Sequence, residues 1–90
     1  MFYPFLTLDD NTEIVHSEMK QDNSVIVHIE KPDADKCFLV ADCKLPGYEW
    51  SNIDGFSEKD IARFQKIIES TAHLILQFSS EGGFDHASGF

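Results

Sequence analysis

Hydrophobic and polar residues alternate along the first half of the chain in short segments separated by turn-forming residues. The clearest segment, residues 24–30, has valine or isoleucine at positions 25, 27 and 29. This period of two is typical of a half-buried strand. Residues 37–45 alternate in the same way, and residues 2–8 and 13–19 are two further candidates. The pattern predicts about four antiparallel strands in a meander.

The second half of the chain follows a helical period instead. Ser57 and Asp60 form a variant capping box, which marks the start of a helix. Polar residues then recur every three or four positions as far as Ser80, with apolar residues opposite them. Gly82 and Gly83 are expected to end the helix.

These elements predict one α+β domain, in which the sheet packs against a single long C-terminal helix in two layers. The chain has 90 residues, which is enough for one hydrophobic core. We expect residues 1–83 to form this domain and residues 84–90 to be a flexible tail.

The segment between the last predicted strand and the helix, residues 46–56, is predicted to be a loop because it contains proline and glycine. It is also rich in aromatic residues, including Tyr48, Trp50 and Phe56. Aromatic loop residues can cover a core, or they can anchor a binding partner. Both interpretations stay open at this stage.

The charge balance limits the choice of partners. The chain has 16 acidic and 7 basic residues, with a formal net charge of −9. Such a chain repels a phosphate backbone, so no nucleic-acid binding is expected. An acidic surface serves solubility, and it also suits a basic protein partner.

Cys37 and Cys43 are predicted to point inward from one strand. Along a strand their Cα atoms would be roughly 20 Å apart, whereas a disulfide requires less than about 7 Å. Free cysteines, with no signal peptide and no transmembrane span, predict a cytoplasmic protein that does not bind membranes. Nothing in the sequence indicates a cofactor.

The histidines are the main candidates for chemistry. His16 and His28 would lie roughly opposite each other if the second and third strands form a hairpin, and Glu18 or Glu30 could add a ligand for a divalent cation. We favour the simpler interpretation of two surface histidines, and assign no metal site, because no tight ligand spacing is present. No nucleophile elbow or phosphate loop occurs either, so we assign no catalytic residue and do not expect an enzyme.

Several apolar residues fall on faces that the predicted fold would leave in water. This predicts a small non-catalytic protein-interaction module, acting on another protein or by self-association. A small-molecule or metal-binding domain is the alternative that uses the histidine face. The candidate interaction residues are Ile26, His28, Phe38 and Val40 on the sheet, Tyr48 and Trp50 in the loop, and Leu74 and Leu76 on the helix.

One stretch carries a family resemblance. A predicted strand ends in Leu45, Pro46 and Gly47, and after a short loop Gly55 and Ser57 introduce an amphipathic helix. Over about residues 37–69, this arrangement resembles HicB-type antitoxin domains, which follow a strand with an L-P-G turn and open a helix with G-x-[ST]. The resemblance implies an antitoxin-like acidic partner of a small basic protein.

Overall fold

The computed structural model describes residues 2–81 and contains a five-stranded antiparallel sheet and one helix in that range. The strands lie in chain order across the sheet, so the predicted α+β fold with a meander sheet and a C-terminal helix is confirmed. The predicted glycine stop and the predicted tail at 84–90 lie outside the described residues. The elements are β1 (Phe2–Thr7), β2 (Glu13–Ser17), β3 (Val25–Asp33), β4 (Cys37–Leu45), β5 (Glu49–Asp54) and α1 (Glu58–Ser80).

Strand β5 is the difference from the predicted four strands, and it lies in the segment that we expected to be a loop. The register between β4 and β5 shifts between Val40 and Asp42, and Asn52 has a φ of 53°. An irregularity of this kind resets the alternation of side chains. The sequence of β5 therefore lacks the period of two by which the other strands were predicted.

Helix α1 covers one face of the sheet and forms the core with it. The alternation predicted for β3 is confirmed, since Val25, Val27 and Ile29 are fully buried. The helix contributes Phe64, Ile68 and Ile75, which are also fully buried. No helix within residues 2–81 has the length and the apolar character needed to cross a membrane.

The predicted start of the helix is confirmed in atomic detail. The backbone N–H of Asp60 donates to Oγ of Ser57 at 3.1 Å, and the N–H of Ser57 donates to Oδ2 of Asp60 at 3.1 Å. Two backbone donors at the helix N-terminus are thereby satisfied. The carboxylates of Glu58 and Asp60 also suit the positive end of the helix dipole.

The C-terminal end of α1 is fastened to β2 through Ser79. The N–H of Met19 donates to the carbonyl of Ser79 at 3.2 Å, and Oγ of Ser79 lies 2.9 Å from Nδ1 of His16. His16 is fully buried, so the prediction of a surface histidine is wrong at this position. Its Nε2 is buried without a hydrogen-bond partner within residues 2–81.

The two cysteines do not share an environment. Cys43 is buried as predicted, and burial raises the pKa of its thiol to about 11. Cys37 is exposed, so its predicted inward position is wrong. It is the first residue of β4 and has a φ of 70°. This left-handed conformation breaks the alternation at the start of the strand.

Candidate functional site

The face of the sheet that points away from α1 carries a mixed set of apolar and charged side chains. Residues of β3 and β4 that alternate with the buried ones must point to this side. Within residues 2–81, no element outside the sheet packs against it. We call this surface the open face, and its central residues are Val15, Ile26, His28, Glu30, Phe38, Val40 and Asp42.

The centre of the open face is a polar cluster around His28. Asp42 is the residue directly opposite His28 in the β3–β4 ladder, and its Oδ1 lies 2.5 Å from Nδ1 of His28. Nε2 of His28 lies 3.3 Å from Oε1 of Glu30. The side-chain amide of Asn52 donates to Oδ2 of Asp42 at 2.9 Å. Both ring nitrogens of His28 therefore face carboxylates.

These carboxylates change the protonation of the imidazole. Partial burial of His28 disfavours its charged form, but the hydrogen bonds to Asp42 and Glu30 outweigh this effect. The pKa of His28 is consequently raised above its usual 6.5. The protonated imidazolium can donate one hydrogen bond to each neighbouring carboxylate.

This shift predicts a pH dependence of folding stability. Because the pKa of His28 is raised in the folded state, the stabilisation is complete below 6.5 and is lost as pH rises through the folded-state pKa. Wild type should therefore gain about 0.5–1 kcal/mol relative to His28→Gln when the pH falls from about 8.5 to about 5.5. Urea unfolding at both pH values measures the difference. Asp42→Asn should weaken the same dependence, and a dependence that is identical in all three proteins would contradict the prediction.

Apolar side chains surround this polar centre. Ile26 and Val40 are half-buried, whereas Phe38 is 49% exposed. Phe2 is 50% exposed and its ring centroid lies 5.7 Å from that of His28. The structure thus brings together the four sheet residues that the sequence proposed, Ile26, His28, Phe38 and Val40.

The other candidate interaction residues lie elsewhere. Trp50 pairs with buried Cys43 and so faces the helix, where its indole N–H donates to Oε1 of Gln65 at 3.0 Å. Tyr48 and Leu76 are partly buried and pack against the core. Leu74 is 36% exposed on the helix. Of the two interpretations of the aromatic segment, the structure favours the one in which it covers the core.

The arrangement proposed for a histidine metal site is wrong. His16 pairs with Val27, and His28 pairs with Val15. A shift of one residue reverses the face on which a strand side chain lies, so the imidazoles of His16 and His28 are on opposite sides of the sheet. Within residues 2–81, no group of three or more His, Cys, Asp or Glu side chains is placed to hold a metal ion.

Sequence reasoning missed two members of the polar cluster. Asp42 could have been placed opposite His28 by pairing β3 and β4 around the turn at residues 34–36, since register follows from the turn. Asn52 gave no usable signal, because it reaches Asp42 only through the irregular pairing of β5.

No protein-family model, no curated protein and no solved structure matches this chain.

Proposed function

We propose that this chain is a non-catalytic protein-interaction module that binds a basic partner protein on the open face. The observation that carries the proposal is a sheet covered on one side only by α1, with Ile26, Phe38 and Val40 around a polar centre on the other side. Apolar side chains grouped on an uncovered face and interspersed with polar groups are typical of interaction sites.

The chemistry of His28 and Cys43 supports a non-catalytic role. Both nitrogens of His28 are directed at carboxylates of the chain itself, so neither nitrogen faces a substrate. The thiol of Cys43 is buried, and its raised pKa of about 11 keeps it protonated at neutral pH. A protonated thiol is a poor nucleophile.

The charge of the open face favours a basic partner over a second copy of the same chain. Ladder positions place the carboxylates of Glu13, Glu30, Asp42 and Asp54 on this side. Lys44 lies on the same side, next to Asp42 along β4. Two such acidic faces would repel each other, whereas a positively charged surface would be attracted. The overall net charge of −9 acts in the same direction.

The resemblance to HicB-type antitoxin domains favours the same class of partner. In the structure the Leu45–Pro46 turn leads into β5, and Ser57 caps the helix after Gly55. An antitoxin-like role, in which this acidic chain neutralises a small basic protein, is therefore the more specific form of the proposal.

A double variant of the open face tests the proposal. Ile26→Thr with Val40→Thr removes apolar surface from the face and keeps β-branched side chains, which suit strands. Leu74→Gln on the helix is the matched control, because Leu74 is also an accessible apolar residue. Wild type and the control should capture a basic protein that the double variant captures at least about ten-fold more weakly, a loss of about 1.4 kcal/mol in binding.

The captured protein is then purified and titrated calorimetrically into each variant, and circular dichroism checks that the variants are folded. If all three proteins bind it equally, or if wild type captures nothing that the double variant loses, the proposal is wrong. A dimer of the wild type that the double variant abolishes would also contradict it, because the face would then serve self-association.

A further inference from the structure

A hollow of about 290 Å³ lies at one end of the open face. It is formed where β1, β2, β3 and β4 come together beside the turn that joins β1 to β2. Its walls combine two carboxylates, two small polar side chains and two apolar rings. The lining residues are Thr7, Asn11, Glu13, Glu30, Pro32 and Phe38.

The two carboxylates in the hollow oppose each other directly. Glu13 and Glu30 are partners in the β2–β3 ladder, and like charges at such positions destabilise a sheet. Glu30 is within 3.3 Å of the His28 imidazole. The carboxylate of Glu13 makes no hydrogen bond or ion pair with another side chain in the described part of the chain. Within residues 2–81, the charge of Glu13 therefore has no paired cation, and Glu30 has only the His28 imidazole, which it shares with Asp42.

Cations near this end of the sheet are paired with other carboxylates. Lys31 and Arg63 both contact Asp10, at 3.5 Å and 3.3 Å. Lys36 contacts Asp54 at 3.0 Å. Among residues 2–81, cations are thus provided for Asp10 and Asp54 but none is paired with Glu13. A further positive charge at Glu13 would complement the hollow.

The apolar walls restrict what kind of cation fits. Pro32 and Phe38 are opposite each other in the β3–β4 ladder, and the ring of Phe38 is 49% exposed. A planar guanidinium can bond to two carboxylates and stack on an aromatic ring. The aliphatic part of an arginine side chain can also cover an apolar surface such as Pro32. An ammonium group has the same charge but no planar surface that could stack on an aromatic ring.

We propose that this hollow binds an arginine side chain of the partner, held between Glu13 and Glu30 and stacked on Phe38. The inference rests on the proposed function, because it assigns the anchoring residue of the same basic partner. It also explains why two like charges face each other across the ladder, since a local conflict of this kind is expected at a functional site.

In the test, N-acetyl-arginine-N-methylamide is the probe and is titrated into the isotope-labelled chain. Binding is monitored by two-dimensional NMR. We expect saturable shifts of the amides at the Glu13, Glu30 and Phe38 positions. The citrulline analogue has nearly the same shape without the charge, and the lysine analogue has the charge without the plane. Both should bind at least about five-fold more weakly, a difference of roughly 1 kcal/mol. Equal binding of the arginine and citrulline probes, or the absence of saturable shifts, would overturn the inference.

Charge-matched variants separate the hollow from general acidity. Glu13→Gln with Glu30→Gln should reduce the affinity for the arginine probe at least about ten-fold. Glu58→Gln with Glu69→Gln removes the same charge from the helix and should change the affinity less than about two-fold. The hollow variant should melt at a temperature similar to that of wild type, because relief of the repulsion across the ladder offsets the loss of the Glu30 carboxylate beside His28. Equal losses in the two double variants would contradict the inference.

The natural partner distinguishes this inference from the proposed function. One outcome is that the Ile26→Thr, Val40→Thr variant loses binding of the partner while the Glu13→Gln, Glu30→Gln variant binds it with full affinity. In that case the arginine anchor is wrong, and the open face is still supported as the interaction surface. If neither double variant binds the partner more weakly than wild type, the proposed function itself is wrong.

Discussion

Replacing Phe64 with alanine is expected to destabilise the domain by about 3–5 kcal/mol, the usual cost of removing a buried phenylalanine. The side chain is fully buried on the sheet-facing side of α1, and its ring meets that of Phe56 edge-on at 4.9 Å. The substitution would leave a cavity and would also remove this aromatic contact. Since small domains have only about 5–15 kcal/mol of stability, most of the folded population could be lost on mild heating.

Urea unfolding followed by circular dichroism measures the effect, with Phe38→Ala as the matched control. Phe38 is 49% exposed on the open face, so its truncation should cost less than about 1 kcal/mol. A similar cost for both substitutions would mean that α1 does not hold Phe64 in the core, and the two-layer packing described above would be wrong.

Replacing Gly55 with alanine is expected to cost about 2–4 kcal/mol, through backbone strain and overpacking together. Gly55 joins β5 to α1 with a φ of 94°, a conformation that side-chain-bearing residues rarely adopt. An added Cβ would overlap Cδ2 of Leu39 and lie 3.4 Å from its Cγ. Leu39 is partly buried and packs against the core, so a shift of its side chain would disturb the core residues that it contacts.

Gly47→Ala provides the comparison within the same segment. A Cβ at this position would approach only the side chain of Glu49, at 3.0 Å from Oε2. This carboxylate is at the end of a flexible exposed side chain and can rotate away. The substitution should therefore change stability by less than about 0.5 kcal/mol. If the two variants have the same melting temperature, the strained conformation assigned to Gly55 is wrong.

Most of the fold could be predicted because its elements follow simple periods. Buried and half-buried residues alternate along the central part of β3, since one side of the strand packs against α1 and the other does not. The buried positions are the valine and isoleucine residues at 25, 27 and 29. The start of α1 could be predicted for a similar local reason, because Ser57 and Asp60 satisfy each other's backbone groups. Long-range packing was not needed in either case.

The predictions that failed depend on contacts between distant residues or on a local backbone irregularity. His16 is buried because it lies on the same side of β2 as Ile14 and opposite buried Val27, and the contact of its ring with Ser79 joins residues 63 positions apart. Cys37 is exposed at the start of β4, where it has a left-handed φ of 70° directly after the turn, and the alternation of the strand does not indicate this conformation. Within the candidate site, Ile26, His28, Phe38 and Val40 were predictable from alternation, but the partners of His28 required the register of the sheet.

The irregular pairing at both edges of the sheet also has a consequence for recognition. Strand β1 contains Pro4 and a register shift between Pro4 and Leu6, and the outermost strand β5 is paired to β4 through its own register shift. Such edges are poor templates for an added strand. A peptide that docks by extending a sheet uses mainly backbone hydrogen bonds and tolerates many sequences. A partner on the open face must instead match individual side chains, so single substitutions in that partner should be enough to change which protein is bound.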